Sequence, residues 1–126
     1  MEIVISNSSD KPIYEQIASQ IRDQVLSAEL APGAQLPSIR ALATQLRISA
    51  ITTKRAYSDL EAQGYIETVP GKGCFVAESN LELLREERMR QVEGLLSRAL
   101  DDAKLAGIGT AELHEMLDLL SGEDER

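Results

Sequence analysis

A mostly α-helical fold with one small β-hairpin is what this 126-residue sequence predicts, and three observations predict it. Between Ile39 and Leu60 two apolar stripes recur at i, i+3, i+4 and i+7, separated by a tight Arg47-Ile48-Ser49 turn. Two β-prone runs then flank Pro70-Gly71-Lys72-Gly73, which is a hairpin signal. Past Ala77 the composition shifts to a long charged amphipathic stretch and a second short one. The order helix, turn, helix, hairpin from Leu36 to Val76 describes a winged helix-turn-helix domain, expected over residues 1–78. The remainder, 79–126, is expected to be a C-terminal two-helix dimerisation region.

Each element has a local reason. Glu2 to Ile5 alternates with β-branched residues and is expected to form a short edge strand, followed by a polar loop. Pro12 suits a first helical turn, and Tyr14, Ile17, Ala18, Ile21, Val25 and Ala28 follow at helical spacing, giving a helix over 12–28 that Ala31-Pro32-Gly33 ends. Ser38 is placed to cap the next helix, whose stripe is Ile39, Leu42, Ala43 and Leu46. Ser49 caps the third, with Thr53, Ala56, Tyr57 and Leu60 inward, and Gly64 can take the left-handed conformation that closes it. Tyr65–Val69 and Gly73–Ala77 read as the hairpin strands. Asn80 to about Ala106 reads as a helix with Leu81, Leu84, Arg88, Val92, Leu95, Ala99 and Ala103 along one side, widened by Met89, Leu96 and Leu100. Gly107-Ile108-Gly109 breaks it. Thr110 is expected to cap a last helix with Leu113, Met116, Leu117 and Leu120 on one face, stopped at Gly122, with Glu123 to Arg126 frayed.

Composition narrows the function classes. Aromatic residues make up 3% of the chain and hydrophobic residues 43%, so the core must be aliphatic and alanine-rich. Met1 to Ile5 lacks a basic n-region and a sustained apolar run, no stretch reaches bilayer length, and the single Cys74 has no partner for an internal disulfide; a cytoplasmic protein without membrane contact is expected. The formal charge of −8 argues at first against a nucleic-acid partner. Its distribution reverses that argument. Residues 79–126 carry 12 acids and 6 bases, whereas Leu30 to Ser58 contains no acid and carries Arg40, Arg47, Lys54 and Arg55.

In a helix-turn-helix the start of the second helix meets base edges. Here its outer face displays Ala50, Ile51, Thr52, Lys54, Arg55 and Ser58. Lys54 and Arg55 suit guanine or phosphate, Arg better because its planar fork is bidentate. Thr52 and Ser58 suit phosphate, while Ala50 and Ile51 can meet only a thymine methyl. Arg40 and Ser38 are expected on backbone phosphate, and Gly71 and Lys72 at the wing tip on the minor groove or phosphate. Any one of these residues alone reads as ordinary solvated surface; their joint placement on acid-free helices points to DNA. The competing class is a winged helix that docks protein without DNA.

Other chemistries find little support. His114 is the lone histidine, beside Glu112 and Glu115 on a polar face, and Cys74 alternates along a strand as a packing residue does. There is no Ser/His/Asp set, no Cys/His cluster with metal spacing and no glycine-rich phosphate loop, so no catalytic residue, metal or cofactor is expected.

Pro12-Ile13-Tyr14 with Gln16-Ile17, Pro32-Gly33, Leu36-Pro37-Ser38, Arg40 and Leu42-Ala43 resemble the start of a GntR-family winged-helix domain. Ile48-Ser49, Thr52, Ala56-Tyr57, Leu60-Glu61, Gly64-Tyr65-Ile66, Gly71-Lys72-Gly73 and Phe75-Val76 continue the resemblance in order over about residues 10–78. The short helical tail is similar to the YtrA-like subfamily. The resemblance implies a homodimeric transcription factor, usually a repressor, on a palindromic operator, with ABC-type transporter genes among the frequent targets. It implies DNA contacts from Arg40, Ser49, Thr52, Lys54 and the Gly71 tip. Ala50 and Ile51 depart from the polar or basic residues common in the family. A branch fused to a pyridoxal-phosphate aminotransferase is not expected, since the sequence ends at Arg126.

The two apolar stripes of the tail cannot bury one another fully in so few residues, which leaves a second copy or, as the alternative, a tail folded back on its own winged helix. Leu84, Val92, Leu95, Leu96, Ala99, Leu113, Met116, Leu117 and Leu120 are therefore expected to face a second copy across a two-fold axis. The sequence specifies neither the operator nor an effector ligand.

Overall fold

The computed structural model describes residues 1–78 and 81–122. Its elements run α1 (Ile13–Leu26), α2 (Ile39–Leu46), α3 (Ala50–Ala62), β1 (Ile66–Val69), β2 (Gly73–Val76), α4 (Leu81–Ala106) and α5 (Thr110–Ser121). The expected helix start at Asn80 and the expected fraying of Glu123–Arg126 lie outside the described residues. The chain forms two compact units, Met1–Arg85 and Glu86–Arg126.

The first unit is built around α1 and α3. Ile17, Ile21 and Val25 of α1 meet Leu42 of α2, Ala56, Tyr57 and Leu60 of α3, and Ile66 and Val76 of the hairpin in one aliphatic core. Burying each of the larger aliphatics contributes about 1.5–3 kcal/mol. The inward face of α3 is Thr53, Ala56, Tyr57 and Leu60, as its spacing predicts. Thr53 is a buried polar residue without penalty, because its hydroxyl donates to the Ser49 carbonyl at 3.2 Å.

β1 and β2 pair antiparallel with Ile66 opposite Val76 and Val69 opposite Gly73. The Lys72 N–H donates to the Val69 carbonyl at 2.9 Å, and Gly71 has φ 77. That combination, with Pro70 second and Gly71 third, fits a type II turn.

Several elements differ from expectation. Residues 33–36 form an unexpected third rung on β2: Leu36 N–H donates to Cys74 O at 2.8 Å and Val76 N–H to Ala34 O at 2.8 Å. Glu2–Ile5 is no strand. Its backbone is held instead by α1 side chains: Gln20 exchanges two hydrogen bonds with Val4 at 2.9 and 2.7 Å, and Gln24 donates to Glu2 O at 2.7 Å. Gln16 pairs with both backbone groups of Ser6 and also reaches Lys11 O. Pro12 is the cap residue of α1, not part of its first turn, and Ala28 falls beyond the helix with φ 66. α1 ends at Leu26: Ser27 N–H still makes the helical bond to Asp23 O at 2.9 Å, but Ala28 N–H turns to Val25 O at 3.2 Å as its backbone goes left-handed.

At the start of α4, Leu81 is buried and Leu84 half-buried against the first unit's core, and Arg85 Nε donates to Leu26 O at 3.2 Å. Leu84, expected at the seam between copies, is thus occupied by its own winged domain. It shares one helix face with Leu81, three residues before it.

The second unit is a helical hairpin. Gly107, with φ 73, turns the chain, and Ile108 N–H closes on Ala103 O at 2.8 Å. The cap position of α5 is Gly109, and Thr110 is its first helical residue, so the expected threonine cap is not made. Ala103 is buried, while α5 has no buried residue at all.

Candidate nucleic-acid interface

The turn between α2 and α3 is fixed by backbone chemistry. Arg47 takes the left-handed conformation at φ 58, and Ile48 N–H reaches back to Ala43 O at 3.0 Å. Satisfying these terminal carbonyls ends α2 sharply and delivers Ser49 to the start of α3. Tyr57 then locks the two helices. Its hydroxyl donates to Pro37 O at 2.7 Å, and burial, with a smaller contribution from nearby Cys74, pushes its pKa well above the ordinary tyrosine value.

The cap at α3 bears directly on what its first turn can offer. Ser49 Oγ accepts the Thr52 N–H at 3.1 Å and lies 3.0 Å from Thr52 Oγ1. Both hydroxyls are engaged with each other and with the helix start. Ser38 is used in the same way, accepting from Ala41 N–H at 3.0 Å. These serines and Thr52 build the presenting surface.

Ala50, Ile51, Lys54 and Ser58 are exposed on α3, Ile51 at 82%. Arg40 is exposed on α2 beside Ala41, Thr44 and Gln45, where a shallow open depression also includes Ser38. Gly71 and Lys72 are exposed at the hairpin tip.

Arg55 departs from its expected company. Its guanidinium carbon sits 3.7 Å from the centroid of the Tyr14 ring, so α1 holds this side chain on an aromatic face.

Four further residues are notable here, none of them among the expected DNA contacts. Tyr14 belongs to the expected α1 stripe and to the family resemblance, neither of which assigns it a contact. Arg47 is an exposed cation at the turn itself. Gln35 Nε2 donates to Lys72 O at 3.0 Å, and Glu61 Oε2 accepts the Thr68 N–H at 2.9 Å. Helix or strand spacing carries no signal for these last two, because each contact joins a side chain to the backbone of another element, 37 residues on for Gln35 and 7 for Glu61.

In the second unit, Val92, Leu95, Leu96, Met116, Leu117 and Leu120 are exposed and Leu113 is half-buried. Ala99, Leu96, Leu113, Met116, Leu117 and Leu120 are among the lining of an apolar groove of about 480 Å³. Among the described residues no group of His, Cys, Asp and Glu is arranged to hold a metal, and no helix is long and apolar enough to cross a membrane.

Residues 13–76 match the family described as bacterial regulatory proteins, gntR family. The chain is 36% identical over 121 residues to the HTH-type transcriptional repressor YtrA of Bacillus subtilis, covering 96% of this chain and 93% of that one. A crystal structure of a transcriptional regulator from Oenococcus oeni superposes with a TM-score of 0.73 at 27% identity, covering 93% of this chain and 97% of that one. The DNA-binding domain of AraR, crystallised in complex with operator ORX1, matches 61% of this chain and 96% of its own at a TM-score of 0.54 and 28% identity.

Proposed function

The chain belongs to the GntR family of bacterial regulatory proteins, and from that premise we propose that it is a sequence-specific DNA-binding transcriptional repressor acting as a homodimer on a palindromic operator. The observation that carries the reading is the exposed start of α3. Its hydroxyls are engaged in capping, and Ile51 and Lys54 stand outward on a stretch, Leu30 to Ser58, that contains no acid. Arg40 and Lys72 supply further exposed cations, and phosphate binding is dominated by such contacts.

In this reading α3 enters the major groove. Lys54 and Ile51 face base edges, Arg40 and Arg55 hold phosphate, and the Gly71-Lys72 tip meets the neighbouring groove or backbone. Residues 1–78 form the reader, and 79–126 supply the dimer contacts through the apolar groove. The site acts by binding alone, in the cytoplasm. The resemblance to the YtrA-like subfamily extends the proposal to ABC-type transporter genes as the regulated set.

Selection of bound duplexes from a random DNA pool with the purified protein tests this. The expected product is one palindromic sequence, bound far more tightly than scrambled duplex and with a steep salt dependence. Recovery of no enriched sequence, with no salt-dependent binding to random duplex, would overturn the reading in favour of a protein-docking winged helix.

A further inference from the structure

The wing is small: two four-residue strands, which alone are marginal in water. The fold ties it down on both sides. On the β2 side, residues 33–36 add the third rung, with Gly33 N–H to Val76 O at 2.9 Å and Leu36 N–H to Cys74 O at 2.8 Å. From that rung the Gln35 side chain runs along the hairpin toward its tip and donates to the Lys72 carbonyl at 3.0 Å. It passes where a side chain at residue 73 would stand. A Cβ on Gly73 would lie 2.9 Å from Gln35 Nε2, and Gly73 has φ 123, so glycine alone leaves this path open without strain. On the β1 side, Glu61 in the last turn of α3 accepts the Thr68 N–H at 2.9 Å. The tip is thereby referenced to the framework ahead of α2, and its other strand to α3 itself.

We propose that Gln35 is a positioning residue for DNA binding: by holding the Lys72 carbonyl it fixes where the Lys72 ammonium meets a phosphate relative to α3. Gln35 touches no DNA in this account and carries no charge. Its removal frees the tip, and ordering the freed tip then costs more than the Lys72–phosphate contact returns, so that contact is lost. The inference rests on the DNA reading proposed above.

The two are separated by one experiment on the full chain, using the duplex that the unmodified protein selects from a random pool. Gln35→Ala, Lys72→Ala and the double variant are titrated at several salt concentrations, with thermal melting of each to confirm a folded winged domain. Gln35→Met, similar in length and without the amide donor, carries the same test should the alanine variant melt early. Each single substitution is expected to weaken binding about 3- to 10-fold. The double variant should bind like Lys72→Ala alone, since both changes remove one contact. The salt slope should fall by about one for Lys72→Ala and also for the uncharged Gln35 variants. A merely structural role for Gln35 would leave the slope at the unmodified value and make the losses additive, and either result overturns the proposal. A Lys72→Ala variant that binds normally overturns it too. Failure of the unmodified protein to select any duplex removes the DNA reading itself and this inference with it.

Discussion

Ile51 is a large apolar residue that the fold does not bury. At 82% exposure on the first turn of α3 it neither packs in the core nor caps the helix. Its polar neighbours are otherwise engaged: Ser49 and Thr52 share a hydrogen bond 3.0 Å long, and Arg55 stacks on Tyr14. On a helix start aimed at base edges, an aliphatic side chain has one good partner in the major groove, the C5-methyl of thymine. The expected outcome is a thymine at a fixed place in each half-site. Replacing the half-site thymines one at a time by deoxyuridine removes a single methyl; at one position this should weaken binding about fourfold, the worth of one buried carbon. Ile51→Ala should bind the thymine and uracil duplexes alike. Equal binding of the unmodified protein to every singly substituted duplex would refute a methyl-reading role.

At the scale of elements, what could be read in advance divides by the range of the interactions. The inward face of α3 and the stripe of α2 were legible, because spacing of three and four residues suffices when one face meets one core. Ser38 and Ser49 were legible as caps, since the hydroxyl and the N–H it serves lie three residues apart. The rung at 33–36 was not: it is too short to show a period, and its partner is forty residues on. Glu2–Ile5 misleads because its alternation is real while its partner is no strand. Gln16, Gln20 and Gln24 recur every four residues, a rise of about 6 Å along a helix. That nearly matches two residues of extended chain, so the ladder from Ser6 to Val4 to Glu2 runs antiparallel to α1 in register. Similarly, Arg40 and Lys54 could be placed outward from pattern alone, whereas the Arg55–Tyr14 stack depends on how α1 lies on α3. The ladder makes a graded prediction. Gln16 is buried and serves Ser6 twice and Lys11 once, so Gln16→Ala should cost about 1–3 kcal/mol in urea denaturation. Gln20→Ala, whose bonds are exposed, should cost less. Equal losses would mean that solvent already satisfies the buried end.

At the scale of the whole molecule, the tail presents an apolar face that its own helices leave exposed. A twelve-residue helix is marginal on its own, and α5 buries no residue within the chain, so packing inside one copy accounts for little of its stability. Its apolar face looks into the groove with Leu96, Ala99 and Leu100 of α4, and Leu117 and Leu120 remain exposed, the latter at 87%. The occupant proposed above is a second copy. The region's excess of acids, 12 against 6 bases over residues 79–126, disfavours a nucleic-acid occupant. Two-fold pairing would also double the reader and match it to a palindrome, with half-sites about 34–36 Å apart or a multiple of that spacing. Leu117→Arg places a charge in the groove and should yield a folded monomer in sedimentation. Its affinity for the full operator should fall steeply, while affinity for an isolated half-site stays near that of the unmodified protein. Leu105→Arg is the control, since Leu105 is 88% exposed and outside the groove lining; it should remain dimeric with operator binding intact. A Leu117→Arg protein that still sediments as a dimer would move the interface elsewhere, and a monomeric unmodified protein at micromolar concentration would remove it altogether.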